Sequence, residues 1–198
     1  MNGLLVNPEI GTTTWYHGSG SCKKLTNKEL TDEPEDVDHA AFFITSSEEY
    51  GHIYATYDSN NEQNICQGLY EINIQTPIKL FHADLIIENE QFTAEGNALL
   101  DVLVEQDAEY SGTSREQFEE SLRTVAQTLD WTHFVDVDYY ESSGVLPEYA
   151  IVNAISELGY DGWVERRSVG KIITRADIAI FHRAISKVKV KKCVFFNK

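Results

Sequence analysis

Ala40-Ala41-Phe42-Phe43-Ile44-Thr45-Ser46-Ser47-Glu48-Glu49-Tyr50-Gly51-His52-Ile53-Tyr54-Ala55-Thr56-Tyr57 changes its period midway, and that change decides the fold class. Its first six residues carry no charge and are rich in aromatic and β-branched side chains, the composition of a short buried strand. Ser46 and Glu49 then satisfy the S-x-x-E capping box, in which each side chain takes the other's backbone N–H, so a helix is predicted from Ser46. Tyr50, Ile53, Tyr54 and Tyr57 follow at i, i+3, i+4 and i+7, one face of that helix. A strand passing straight into a helix predicts a fold in which the two kinds of element are mixed.

Working outward gives the same picture. Thr12-Thr13-Thr14-Trp15-Tyr16-His17 reads as a strand ending at the Gly18-Ser19-Gly20-Ser21 turn. Residues 23–38 are polar, acidic and contain Pro34, which reads as a long loop. Leu69-Tyr70-Glu71-Ile72-Asn73-Ile74 alternates as a strand, Pro77 breaks it, and Ile78-Lys79-Leu80-Phe81 resumes it. Ser114 and Gln117 form a second capping box ahead of a helix with Phe118, Leu122, Val125, Ala126 and Leu129 on one stripe, reaching about Trp131. Pro147 suits a first helical turn, Tyr149, Val152, Ile155 and Leu158 continue that helix, and Gly159 stops it. Gly162-Trp163-Val164, Ile172-Ile173-Thr174, Ile178-Ala179-Ile180-Phe181 and a basic alternating stretch near 187–195 read as strands. The prediction is α+β with antiparallel pairing dominant, in a single domain spanning 1–198, since no repeat or linker divides the chain.

The 198 residues carry a net charge of −16 at a pI near 4.6. The average hides a segregation. Residues 29–164 hold only Lys79, Arg115 and Arg123 against a long series of acids, whereas residues 165–198 hold only Glu165 and Asp177 against a run of Lys and Arg. A global acidic field excludes a protein that coats nucleic acid. No apolar run approaches the roughly 20 residues of a membrane span, and the first residues lack the basic and apolar regions of a secretory signal. Cys22, Cys66 and Cys193 form no CxxC pair, so neither a disulfide framework nor a structural metal site is expected. The expected location is a reducing, cytoplasmic compartment, without a membrane partner.

No GxSxG, GxxxxGK[ST], HExxH or GxGxxG is present, and the six histidines show no mutual ligand spacing. Tyr16-His17-Gly18-Ser19, however, resembles the H-G-[ST] motif of ADP-ribosyltransferases of the diphtheria-toxin and poly(ADP-ribose) polymerase class. Phe42 to Ala55 is similar to that class's second motif, a strand aromatic followed some eleven residues later by a helix tyrosine. Leu69 to Leu80 resembles the next strand in the small transferase domains of phage polyvalent proteins. Gly159-Tyr160-Asp161-Gly162-Trp163-Val164 and Ala176-Asp177-Ile178-Ala179-Ile180-Phe181 resemble the segments that close those domains. Residues 82–145 match none of these segments and read as a family-specific, helical insertion.

The resemblance implies split antiparallel sheets with flanking helices and an enzyme that takes NAD as substrate, without metal, and transfers ADP-ribose to a protein or nucleic-acid acceptor. A role as a toxin or phage–host conflict factor, held by an antitoxin or inhibitor protein, goes with it. On that resemblance His17, Tyr54 and Asp177 are the catalytic set. His17 bonds the adenosine ribose, Gly18 holds the carboxamide through its backbone, and Phe43 and Tyr54 sandwich the nicotinamide ring. Ser19, Ser46 and Tyr50 complete the binding set, with Ser47 an alternative hydroxyl. Asp177 stands where the class carries glutamate, one methylene longer, which leaves two other readings on the same fold: an inactive acidic binding or decoy protein, and an RNA 2′-phosphotransferase. Strand alternation puts Arg175, Asp177, Ala179 and Phe181 on a cleft face and Ala176, Ile178 and Ile180 on a core face. Glu148 and Glu165 rank behind Asp177 as the acid. No E-x-E pair occurs beyond residue 140, which disfavours the arginine-specific toxin class.

Overall fold

A computed structural model describes residues 4–6, 14–19, 41–57, 66–107, 114–128, 147–169 and 172–197. The fold is α+β. Strands β1 (Leu4–Val6), β2 (Trp15–Ser19), β3 (Ala41–Thr45), β4 (Cys66–Ile74), β5 (Ile78–His82), β8 (Gly162–Val169), β9 (Ile172–Phe181) and β10 (Val188–Asn197) form an eight-stranded sheet in the order β1-β5-β8-β9-β3-β2-β4-β10. Every neighbouring pair is antiparallel except β5 and β8. Antiparallel pairing dominates, as expected, and β5 with β8 is the one parallel pair. It arises because the chain between these strands passes through helices before it returns beside β5, as a parallel crossover requires.

The intervening segment holds a tight hairpin, β6 (Ile87–Glu88) with β7 (Gln91–Phe92), whose turn residues Asn89 and Glu90 both have positive φ. Two-residue hairpin turns of this hand match the twist of the strands they join. Arg123 donates to Glu90 O at 3.0 Å and lies over the Phe92 ring, tying the hairpin to helix α3. The α-helices among the described residues are α1 (Glu48–Tyr57), α2 (Ala94–Asp107), α3 (Arg115–Thr128) and α4 (Pro147–Glu157).

The capping box at α3 is reciprocal: Ser114 N–H donates to Gln117 Oε1 at 2.9 Å and Gln117 N–H to Ser114 Oγ at 3.3 Å. Phe118, Leu122 and Val125 are buried on that helix as the stripe predicts, while Leu129 and Trp131 lie outside the described residues. Gly159 ends the α4 segment at φ +82°, a conformation glycine adopts without a Cβ penalty.

Both sheet faces are covered. On one, Phe81, Trp163, Ala179, Phe181 and Ala41 pack with Leu99, Leu100, Leu103, Phe118, Leu122, Val125, Ile151 and Ile155 of α2, α3 and α4. On the other, Ile44, Tyr70, Ile72, Ile74, Ile78, Leu80, Val164, Ile178 and Ile180 pack with Ala184, Ile185 and Val188 at the short turn after β9. The expectation that only one face of β9 is core is therefore corrected: Ala179, Phe181 and Asp177 are buried as fully as Ile178 and Ile180, and helices α2, α3 and α4 pack over Ala179 and Phe181.

The 159–164 segment is a structural clamp. Asp161 Oδ2 accepts from Lys79 N–H at 2.8 Å and from Lys187 Nζ at 2.6 Å, and its backbone bonds Lys79 O and Phe181 N. Gly162 is needed for a different reason: a Cβ there would stand 2.0 Å from Ala179 O.

Candidate active site

Strand β2 runs through His17 and Gly18 to Ser19, so Gly18 and Ser19, expected in a turn, are strand; Gly20 and Ser21 lie outside the described residues. Along this length β2 is fully laddered to β4, with Trp15 opposite Ile72, His17 opposite Tyr70 and Ser19 opposite Gly68. Its ladder to β3 holds the one pair, Tyr16 with Thr45. The sheets expected to be split are joined here in one sheet, with this pair at their meeting point: beyond it β3 pairs with β9 and the Gly18–Ser19 half of β2 with β4.

His17 bridges the seam. Its Nδ1 lies 2.9 Å from Phe43 O. A carbonyl oxygen only accepts, so Nδ1 carries the proton, and in the neutral ring Nε2 is the acceptor. The ring packs against Phe42 with centroids 4.4 Å apart and against Tyr70 at 6.1 Å, which fixes its orientation.

Register sets three distant segments in one row. Tyr16 is opposite both Glu71 and Thr45, Thr45 is opposite Asp177, and Asp177 is opposite Glu165. Residues paired across a ladder share a face, so positions 71, 16, 45, 177 and 165 form a polar line across five strands. Asp177 is 3 % exposed within it. The Tyr16 hydroxyl is held above its ordinary pKa by burial first, and then by the charges of Glu48 and Glu71. One row along, Phe43, Ala179, Trp163 and Phe81 are paired in turn. His17 alternates to the opposite face, and two strand spacings, about 10 Å, separate β2 from β9.

Helix α1 starts one residue later than expected. Tyr50 N–H donates to Ser47 Oγ at 3.3 Å and Gly51 N–H to Ser47 O, so Ser47 rather than Ser46 is the cap. Thr45 Oγ1 accepts from Ser47 N–H at 3.2 Å and draws the chain into that turn. Among the described side chains of α1, Gly51 and Ala55 are the buried ones: a Cβ at 51 would lie 2.6 Å from Leu69 Cδ1 and 3.0 Å from Tyr16 Cβ. That close approach turns Ile53 outward, at 43 % exposure, and leaves Tyr50 half-buried. The side chains of Tyr54 and Tyr57 lie outside the described residues, as do those of Glu148 and Glu165.

On this face α1 covers the β2–β4 end and helices α2, α3 and α4 the β5–β8–β9 end. Between them Phe43 on β3 is 38 % exposed, with its ring edge-on to Trp163 at 6.1 Å. An exposed phenyl ring one row along from the buried Asp177 carboxylate is the chemistry of a site that stacks a flat ring beside a developing positive charge.

No protein-family model matches the chain, and no curated protein matches it. Among solved structures, a chain of the M. tuberculosis MbcT–MbcA toxin–antitoxin complex is similar, with a TM-score of 0.45 at 9 % identity, over 99 % of this chain and 86 % of that one. Among the described residues no helix is long and apolar enough to cross a membrane.

Proposed function

We propose that the protein is an NAD-dependent mono-ADP-ribosyltransferase acting on a macromolecular acceptor. The observation that supports this reading is the row Tyr16–Thr45–Asp177, which sets the ends of the three motif-bearing segments side by side at the seam. On this reading the dinucleotide crosses the β2–β3 seam, because His17 and Asp177 lie on opposite faces of the sheet. His17 Nε2 accepts from a ribose hydroxyl, Gly18 presents backbone without a side chain, and Phe43 and Tyr54 hold the nicotinamide ring between them. Asp177 accepts from the 2′-OH of the nicotinamide ribose, and its sheet-centre position lets the strand backbone compensate for the missing methylene.

The C1′–N bond breaks with its electron pair leaving on nicotinamide, which departs neutral. The ribosyl cation is stabilised by the carboxylate, and the acceptor forms the new bond to C1′ and loses a proton. Fixed geometry and preorganised charge supply most of the rate in such a reaction.

The test is release of nicotinamide from NAD by the purified protein with cell extract, together with labelled products. His17→Ala removes one ribose hydrogen bond and is expected to lower release about 10- to 100-fold, the rate equivalent of roughly 1–3 kcal/mol. No release above that variant refutes the proposal. An absent thermal shift with NAD would turn the assignment to the binding-protein alternative, because a ligand bound by the native state alone must stabilise it.

A further inference from the structure

We propose that the outer edge of β10 docks an extended acidic segment of a partner protein, which adds to the sheet as a further strand. β10 ends the strand order and is laddered to β4 on its inner side; among the described residues no strand pairs with its outer side. Such an edge presents alternate N–H and C=O groups as a template for another chain. From Lys192 to Asn197 the register with β4 runs without a shift, so this half of the edge is regular. It also shows apolar side chains on both faces. Val194, opposite Leu69, lies on the α1 face at 37 % exposure. Phe195 alternates to the other face at 41 % exposure and is held edge-on to Tyr70, with centroids 6.2 Å apart. Strand addition takes its affinity from main-chain hydrogen bonds and its specificity from alternate side chains of this kind.

The first half of the strand selects the occupant. Lys189, Lys191 and Lys192 are exposed there, and the register shifts between Val190 and Lys192. Lysines and bulges ordinarily keep an edge from pairing. Here they stop short of Cys193-Val194-Phe195-Phe196, which carries no charge. Among the described residues one carboxylate answers the three lysines: Glu71 Oε1 lies 3.4 Å from Lys192 Nζ and Oε2 3.7 Å from Lys191 Nζ. Lys189 stands opposite Asn73 and forms no ion pair among the described residues. A second copy of the chain brings the same lysines to the joint and is repelled, whereas a strand with acids at that end is accepted, so the lysines discriminate between the two. The net charge of −16 opposes an acidic partner at a distance. Salt at physiological strength screens that field beyond about 8 Å, and the lysines at the contact then decide. The segment that fits is apolar along one half and carries Asp or Glu along the other.

The experiment selects random peptides of about twelve residues, by display, on the immobilised full chain and then measures the enriched sequences as synthetic peptides. The expected winners join an apolar half to an acidic half, slow amide hydrogen exchange across residues 192–197, and bind more weakly as NaCl rises from about 50 to 500 mM. Lys189→Glu is expected to weaken them roughly 3- to 10-fold, since each exposed charge contributes little. Val194→Lys, at an exposed position on the apolar half, weakens them as well, and unchanged melting temperatures of both variants exclude misfolding as the cause. No enriched peptide, enriched peptides without acids, or exchange protection confined to another segment overturns the proposal. A dimer in sedimentation whose exchange protection falls on β10 makes a second copy the occupant and overturns it too, as does a thymidine oligonucleotide that protects residues 192–197 where no peptide does. None of these outcomes bears on the transferase reading, which nicotinamide release tests separately.

Discussion

Replacing Asp161 by alanine and by asparagine separates two parts of the clamp that holds β5, β8 and β9 in register. Asp161 Oδ2 receives the Lys79 amide at 2.8 Å and the Lys187 ammonium at 2.6 Å. The lysine side chain is 33 % exposed and the aspartate 16 %, so water screens their attraction. The ion pair is therefore worth about 0.5–1 kcal/mol rather than the value of a dry pair. Asparagine keeps an oxygen for the Lys79 amide and loses only that term. Alanine also strands a partly buried N–H, which adds about 1–3 kcal/mol. The expected costs are thus about 1 kcal/mol for Asp161→Asn and about 2–4 kcal/mol for Asp161→Ala, the latter lowering Tm by about 5–12 °C in a domain of this size. Urea unfolding followed by circular dichroism reads both, and Lys187→Met should match Asp161→Asn without adding to it. An alanine variant within 0.5 kcal/mol of wild type, or equal costs for the two substitutions, would refute the division of roles.

Gly162→Ala is expected to destabilise by more than the ~1–3 kcal/mol of an ordinary overpacked site, because the new Cβ meets backbone at 2.0 Å rather than a side chain that can turn aside; denaturant melts check this. Tyr160, like Tyr16, is held above its ordinary pKa, by burial first and by Glu95 second. The native state then holds these protons more tightly than the unfolded chain. Their contribution to stability is present below pH ~10 and is lost as pH rises through the folded values. Absorbance titration should show Tyr16 and Tyr160 among the late-titrating tyrosines, and Tyr160→Phe should flatten the alkaline decline in Tm.

The local chemistry of the chain was readable where a few neighbouring residues decide it. Ser114 and Gln117 needed only each other, so their reciprocal cap is in the sequence. At α1 the same rule chose Ser46, but Thr45 Oγ1 takes the Ser47 amide and moves the cap on by one. The stripe of α1 was legible as one helix face, but not that Gly51 is buried, because its packing against Tyr16 and Leu69, which admits no Cβ, is set by distant strands. Helix α2 went unread, since Thr93, whose hydroxyl accepts from Gly96 N–H, is a modest signal beside Leu99, Leu100 and Leu103. Strand β1 is three residues whose pairing partner lies far along the chain. Register was out of reach for the same reason. That Thr45 and Glu165 flank Asp177 follows from the strand order, which depends on how the 82–145 segment packs and not on any local pattern.

The sheet is bound like a book. On one face the isoleucine-rich cluster runs from Tyr70 and Ile72 on β4 across to Ile44, Ile178 and Val164, so it glues both leaves together as a spine. On the other face α1 covers the β2–β4 leaf and helices α2, α3 and α4 the β5–β8–β9 leaf, and among the described residues the β2–β3 ladder between them is the Tyr16–Thr45 pair. Local openings follow the weakest cooperative boundary. Any loosening of this sheet therefore has a direction: the pages part toward Phe43 and Asp177, while the spine stays shut.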